Sequence, residues 1–295
     1  MEPIHKSVLL KESLDLLKVR EGGRYIDATL GQAGHALEIV ERGGEVLGIE
    51  ANVETLKWLK SYFQEEAVEA KARKMKVILG NFADLEKLAR ANSFVEVDGI
   101  IFDLGLSTFL LREVGRGFSY RGREPLDMRF NPTRTETAAN ILNTYSEREI
   151  YEIFTKFGEE RGAGRLARAL VRARGLKKFE TTEDLADLVE TAFQPMEGSA
   201  HLAQVFQALR IVVNGELESL GLGLEDAQDL LKKGGRLAVI SYHSLEDRLV
   251  KRLFLKWQGK GWGQIIGKGV ITPSPREIKF NRAARSSKLR AYEKN

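Results

Sequence analysis

The 295-residue chain has no cysteine, which excludes structural disulfides, zinc–thiolate sites and a thiolate nucleophile together. Histidine is scarce. His5, His35, His201 and His243 are the full set, and no two lie at metal-ligand spacing, so no metal site is expected. No stretch approaches the roughly 18 apolar residues of a membrane helix. The opening residues MEPIHKSVLL place charges around an apolar run too short for a signal segment. A soluble, cytoplasmic protein without a membrane partner is the expectation. A strong charge of one sign is also missing: 46 Lys and Arg stand against 42 Asp and Glu, a net +4. That excess permits a polyanionic partner without requiring one.

What is there is apolar material, 43% of the residues, enough to bury one large or two moderate domains. An amphipathic helix is predicted over Ser7–Lys18. Arg24–Leu30 reads as a strand, followed by the turn Gly31-Gln-Ala-Gly34, a helix over His35–Glu41 and a second strand, Glu45–Glu50. Strand, glycine turn, helix and a strand ending in an acid make the first βαβ unit of a nucleotide-binding fold. A helix over Val53–Lys71 and strands over Lys76–Leu79 and Asp98–Asp103 continue the alternation. Continuous apolar strands suit a parallel sheet covered on both faces.

The rhythm breaks after Ser107. An ordered polar loop is predicted over Gly115–Asn131, then helices over Thr137–Leu142, Glu147–Phe157, Arg161–Arg174 and Thr182–Phe193. Ser146 and Thr181 or Thr182 are N-cap candidates. The alternation resumes with a long helix over Val205–Leu231, interrupted near Gly221 and Gly223, and a turn at Gly234-Gly235. A strand over Arg236–Ser241, a helix over Leu245–Trp257 and strands near Gly269–Ile271 and Lys288–Tyr292 follow. The reading is thus an α/β sheet domain of residues 1–107 and 205–295, interrupted by a helical insertion over 108–204.

Three strand ends carry chemistry. Gly31 and Gly34 allow backbone to approach a ligand closely, and the next helix aims its free amides at the same crevice. Glu50 there can accept the ribose hydroxyls of a nucleoside cofactor. An ordinary glycine turn has the same residues, and the pattern does not choose between a dinucleotide and S-adenosylmethionine. Asp103-Leu-Gly-Leu-Ser107 closes a later strand, at a usual site position or as a simple cap. In Ser241-Tyr-His-Ser-Leu-Glu-Asp247, His243 could orient a base, shuttle a proton or cap a helix, and Ser244 with Asp247 resembles a capping box. No GxSxG elbow accompanies these residues. Basic residues recur at helical spacing at Arg161, Arg165, Arg168 and Arg172, a phosphate track or a solvated face. The tail from Lys268 to Lys294 carries eight Lys and Arg against Glu277 and Glu293, the stronger nucleic-acid signal.

In order along the chain, His5-Lys-Ser-Val-Leu-Leu10, Asp27-Ala-Thr-Leu-Gly31 with Gly34-His35, and Asp98–Ser107 resemble one known family. So do Arg116-Gly-Phe-Ser-Tyr120, Pro125-Leu-Asp-Met-Arg129, Gly158-Glu-Glu-Arg161, Phe206–Ile211, Asn214, Ser241–Arg248 and Arg285–Arg290. The family is that of the bacterial 16S ribosomal RNA cytidine-1402 N4-methyltransferases, the MraW family. The resemblance implies a class I (Rossmann-like) methyltransferase domain interrupted by a helical RNA-recognition domain. It implies S-adenosylmethionine as cofactor and 16S ribosomal RNA, within a partly assembled 30S subunit, as partner; a weak homodimer is a further partner. Carried over by position, Gly31, Ala33, Gly34, His35, Glu50, Phe82 and Asp103 would contact the cofactor. Arg129, Arg210, Arg285, Lys288 and Arg290 would hold RNA.

For the transfer, Asp103 leads as acceptor of a hydrogen bond from the amine, with cofactor binding alone as its other role. Asn214, Ser241 and His243 are the next catalytic candidates. The chain departs from the family pattern at Gln32, Ala33, Ala36, Leu110, Asn131, Gln204 and Gly215, and at Gly162 and Gly164. Most of these changes remove polar partners from expected sites. They leave open another RNA target, or an assembly factor that binds ribosomal RNA with weak or no catalysis.

Overall fold

Side chains along each central strand divide between two cores, as the period of two requires. The computed structural model describes residues 7–105, 115–120, 122–193 and 198–295. Strands β1 (Arg24–Asp27), β2 (Glu45–Glu50), β3 (Met75–Leu79), β4 (Val97–Asp103) and β5 (Leu231–Ser241) run parallel. β6 (Gly263–Ile271) and β7 (Lys288–Lys294) complete a seven-stranded sheet in the order β3-β2-β1-β4-β5-β7-β6, with β7 antiparallel to both neighbours. Tyr25, Val46, Ile101, Ala238 and Ile240 pack on one face with α1 (Leu10–Leu17), α2 (Gly34–Glu41) and α3 (Val53–Tyr62). Ile26, Leu47, Phe102, Leu237 and Val239 pack on the other with α5 (Leu85–Ala91), α11 (Glu216–Leu230) and α12 (Ser244–Gly259). Burying each large side chain stabilises the sheet by about 1.5–3 kcal/mol.

The strand order reverses between β1 and β4, the switch point at which open α/β sheets bind ligands. A mixed, Rossmann-like sheet with helices on both faces is therefore present. Among the described residues no helix is long and apolar enough to cross a membrane.

The chain divides into a sheet unit, Met1–Ser107 with Leu217–Asn295, and a helical unit, Thr108–Glu216. The second boundary lies beyond residue 205, where the sequence reading returned to the sheet. Val205, Leu209 and Val213 of α10 (Gly198–Asn214) sit in the helical core, packed with residues of α6 (Ala138–Thr144), α7 (Glu147–Gly158), α8 (Ala163–Arg174) and α9 (Thr182–Ala192). Apolar periodicity alone cannot say which core a helix serves. Reciprocal capping boxes start three of these helices: Thr137 with Asn140, Ser146 with Glu149, and Thr181 with Asp184. Arg161, Arg165, Arg168 and Arg172 all face outward, and the Arg165 guanidinium lies 4.5 Å from the centre of the Phe193 ring.

Other boundaries shift for local reasons. The predicted helix over 53–71 is two helices, α3 and α4 (Glu66–Ala72), because Glu65 is extended between them. The long helix over 205–231 breaks at Gly215, whose φ of 62° is left-handed, and not at Gly221 or Gly223. Gly223 is small for another reason: a Cβ there would lie 2.6 Å from the Phe82 carbonyl oxygen. β5 starts five residues before Arg236, because Gly234 and Gly235 form an irregularity within the strand, where the register against β4 shifts. Gly162 has no room for a side chain, since its Cβ would meet the Phe193 ring at 2.3 Å.

Candidate active site at the carboxyl end of the sheet

The site begins with acids that the parallel sheet delivers to one edge. Asp27 ends β1, Glu50 ends β2 and Asp103 ends β4, and β1 pairs with both other strands. Asp27 is buried; it accepts the Thr29 amide at 3.1 Å and a backbone hydrogen bond from Ala36, in the first turn of α2. Burial nevertheless raises its carboxyl to about 7, with Asp103 and Glu50 adding to the rise. Glu50 is also raised to about 7 by burial, against the lowering effect of backbone amides. Its Oε2 accepts from the Gly31 amide at 2.9 Å and its Oε1 from the Asn52 amide at 2.7 Å. Glu50 thus fixes the loop. Replacing it with Ala would leave two backbone donors without acceptors, at about 1–3 kcal/mol each; Gln is the cleaner substitution.

The loop after β1 sorts its residues by direction. Gly31, Gln32 and Gly34 stay partly accessible, while Ala33, His35 and Ala36 turn inward. Ala33 takes a left-handed conformation, φ 63°, and its methyl packs in the core with Ala36. Two of the three departures from the family loop, Ala33 and Ala36, are therefore core methyls. His35 is buried, its Nε2 without a hydrogen-bond partner among the described residues and its Nδ1 3.8 Å from Asp103 Oδ2. Burial lowers its pKa, opposed by Asp103 and a backbone hydrogen bond at Val8.

Asp103 holds its geometry through a residue that the sequence reading did not single out. The Tyr242 hydroxyl donates to Asp103 Oδ1 at 2.8 Å, and burial with the nearby Asp103 charge pushes the Tyr242 pKa far up, so it stays a donor. Gly105 makes room: a Cβ there would sit 3.0 Å from the Tyr242 ring. The Thr29 hydroxyl accepts from the Asp103 amide at 2.6 Å, joining the β1 and β4 ends. Phe82 follows Asn81, whose side chain caps its turn, and meets Phe102 edge-on at 5.7 Å.

The other candidates are placed differently. His243, and not Ser244, caps α12, and Glu246 closes the box in place of Asp247. Asp247 instead holds Arg290 at 2.6 Å and Lys288 at 3.5 Å. The Ser241 hydroxyl donates to the Lys288 carbonyl across β5 and β7 at 3.3 Å. In the helical unit, the Asn214 amide donates to Met128 and Arg210 carbonyls and accepts from the Phe130 amide. It pegs the polar loop to α10. Arg129 pairs with Asp127 and donates to the Pro132 and Arg134 carbonyls, and Arg210 pairs with Glu216 through two bonds of 2.8 and 2.9 Å. Of the residues expected to hold RNA, only Arg285 is exposed. His5, Leu106, Ser107 and Leu110 lie outside the described residues.

Residues 2–295 match the family model of the MraW methylase family. The chain belongs to that family. Its MraW relatives include the ribosomal RNA small subunit methyltransferase H of Coprothermobacter proteolyticus, 42% identical over 98% of this chain and 96% of that protein. The protein of the same name from Sulfurihydrogenibium sp. is 41% identical over 97% of each chain. An rRNA methylase structure from Streptococcus thermophilus, 11% identical and 99% covered in both chains, superposes at a TM-score of 0.44, too loosely to carry an argument. Within this MraW chain, Asp27 and Tyr242 are the site residues that sequence reading missed. An acid at the end of a buried strand beside a glycine turn was a signal for Asp27. Nothing in the sequence marked Tyr242 as the partner of Asp103.

The acids give the site a pH signature. Unfolded, Asp27 and Glu50 titrate near 4; folded, near 7. The folded state binds more protons across that window, so its stability falls as pH rises through it and levels off above. Carboxyls held low by ion pairs, such as Asp98 and Asp247, lose their contribution only below it. The thermal midpoint of the ligand-free protein should be higher at pH 5 than at pH 8, and Glu50→Gln should flatten part of that slope. Buried His35, whose pKa is lowered, acts in the opposite direction over part of the window, so the comparison of the two proteins decides: a slope left unchanged by Glu50→Gln would contradict the raised Glu50 carboxyl.

Proposed function

We propose that the chain methylates the exocyclic N4 amine of a cytidine in 16S ribosomal RNA, presented in a partly assembled small subunit, with S-adenosylmethionine as donor. Membership of a methylase family and the names of its relatives support the reaction class and the small-subunit RNA. The choice of cytosine N4 rests on the family resemblance. The observation that carries the reading at the level of residues is the meeting of Asp27, Glu50 and the Tyr242-held Asp103 at the sheet's switch point.

The residues present suit the donor. Buried carboxyls that ionise near 7 favour a ligand bearing positive charge and hydroxyl groups. Glu50 keeps a further lone pair for a ribose hydroxyl beyond its backbone bonds from Gly31, Ala51 and Asn52, and Phe82 offers an apolar ring for adenine. When bound, S-adenosylmethionine supplies an electrophilic methyl group, so no metal is needed to activate it.

Asp103 is assigned to the amine. A cytosine N4 lone pair is delocalised into the ring and needs orientation more than a strong base. Oδ1 is fixed by Tyr242, while Oδ2 has no hydrogen bond among the described residues and lies 3.8 Å from His35. Oδ2 therefore accepts from N4–H, keeps the amine aimed and receives its proton as positive charge develops. Tyr242 prevents Asp103 from rotating away. His243 serves by capping α12, so its loss should act mainly on stability, by about 1 kcal/mol.

Two measurements test these assignments. Gly223→Ala should displace Phe82 and weaken S-adenosylmethionine binding several-fold in calorimetry, while Gly221→Ala, whose Cβ meets open space, should not; equal effects would remove Phe82 from the adenine site. In single-turnover methylation with saturating cofactor and RNA, Asp103→Asn should slow transfer by about 10²-fold or more and Tyr242→Phe by less. Mass spectrometry of the product nucleosides should show N4-methylcytidine. Methylation at a base carbon, at a ribose hydroxyl or on transfer RNA would overturn the substrate, and wild-type rates in both variants would remove them from the transfer step.

A further inference from the structure

The basic tail divides into paired and unpaired cations. Arg290 and Lys288 are joined to Asp247, and Arg236 is joined to Glu293. Between them, α13 (Pro275–Phe280) and the short turn Arg282–Ser286 expose Arg276, Lys279, Arg282 and Arg285. No ion pair holds any of these four among the described residues. The single acid of that stretch, Glu277, is half-buried and accepts the Leu9 amide at 2.7 Å.

An aromatic ring lies among these cations. Phe280 is 71% exposed and belongs to none of the three hydrophobic cores. Arg276, Lys279 and Phe280 share one face of α13, at spacings of three and four residues. The ring also walls an open cavity of about 670 Å³, within the roughly 300–1,000 Å³ range of small-ligand sites; its charged lining is Lys11, Arg42 and Arg276 with Glu12, Glu38 and Glu277, of which Glu38 pairs with Arg42. The arginine row of α8 differs: its neighbouring ring, Phe193, is buried and already carries Arg165.

We propose that Phe280 and the cations around it form a platform for single-stranded RNA, built from residues other than those assigned to methyl transfer. One unpaired base stacks on Phe280 at the mouth of the cavity, and Arg276, Lys279, Arg282 and Arg285 hold the flanking phosphates. Unpaired cations beside a free ring match a polyanion with flat apolar bases. A solvated basic surface has no use for the ring. The proposal rests on the reading that this chain acts on RNA and assigns part of the grip to a surface the catalytic groups do not occupy.

The test is binding of a fluorescently labelled, unstructured oligoribonucleotide to the full chain across a salt series. Phe280→Ala should weaken binding about tenfold with the salt slope unchanged, and Phe280→Trp should restore it. Arg276→Gln, Lys279→Gln and Arg282→Gln together should lower the slope by about 2, near 0.7 for each phosphate left without its cation. S-adenosylmethionine affinity should be the same in every variant. Wild-type RNA affinity in Phe280→Ala, with RNA still bound by the wild type, would overturn the platform alone. Absence of RNA binding by the wild type would overturn the RNA reading and the platform with it.

Discussion

Carboxyl groups buried at the ends of parallel strands are the constraint around which the sheet unit is arranged. Removing a carboxylate from water is costly unless donors replace the water. Here the donors are backbone amides. Gly31 and Asn52 serve Glu50, and Thr29 and Ala36 serve Asp27. Those bonds dictate the path of the loop between β1 and α2, the place where α2 starts and the approach of β2 to β1. The compensation is incomplete, which is why both acids ionise near 7. A site in this condition favours a ligand that brings positive charge and hydroxyl donors.

Much of this was legible in the sequence because burial leaves a pattern. Strands covered on both faces read as continuous apolar runs, and each of the first five ends in polar residues or beside them. Glu50 and Asp103 could be placed at the ends of their strands from that alone. Partnership was not legible. The pairing of Tyr242 with Asp103 joins residues far apart in the chain, through a space that Gly105 leaves open. Gly223 reads as a helix breaker by propensity, whereas the close approach of Phe82 is what requires it. The end of the helical unit was misplaced because α10 is apolar enough to suit either core, and only its packing with α7 and α9 decides.

Charge shows the same limit. Counting arginines in the tail treated Arg285, Lys288 and Arg290 alike, and the resemblance added Arg129 and Arg210. In the folded chain Arg129, Arg210 and Arg290 are held by carboxylates that shape their own surroundings. Among the described residues Arg276, Lys279, Arg282 and Arg285 have no ion pair, and the one acid within their stretch, Glu277, accepts the Leu9 amide. Asn214 likewise supplies a peg for the polar loop within the helical unit. Sequence position identifies which residues carry polar atoms, but folding decides which of those atoms are left for a ligand.

On the proposed function, the buried, partly protonated acids are kept ready for the methyl donor. That central claim is tested most directly by calorimetry of S-adenosylmethionine binding at pH 7 in two buffers of different ionisation enthalpy, which counts the protons exchanged. Wild-type protein should release more protons on binding than Glu50→Gln, because ligand contact drives the Glu50 carboxyl to its ionised form. Equal proton counts in the two proteins, at comparable saturation, would contradict it.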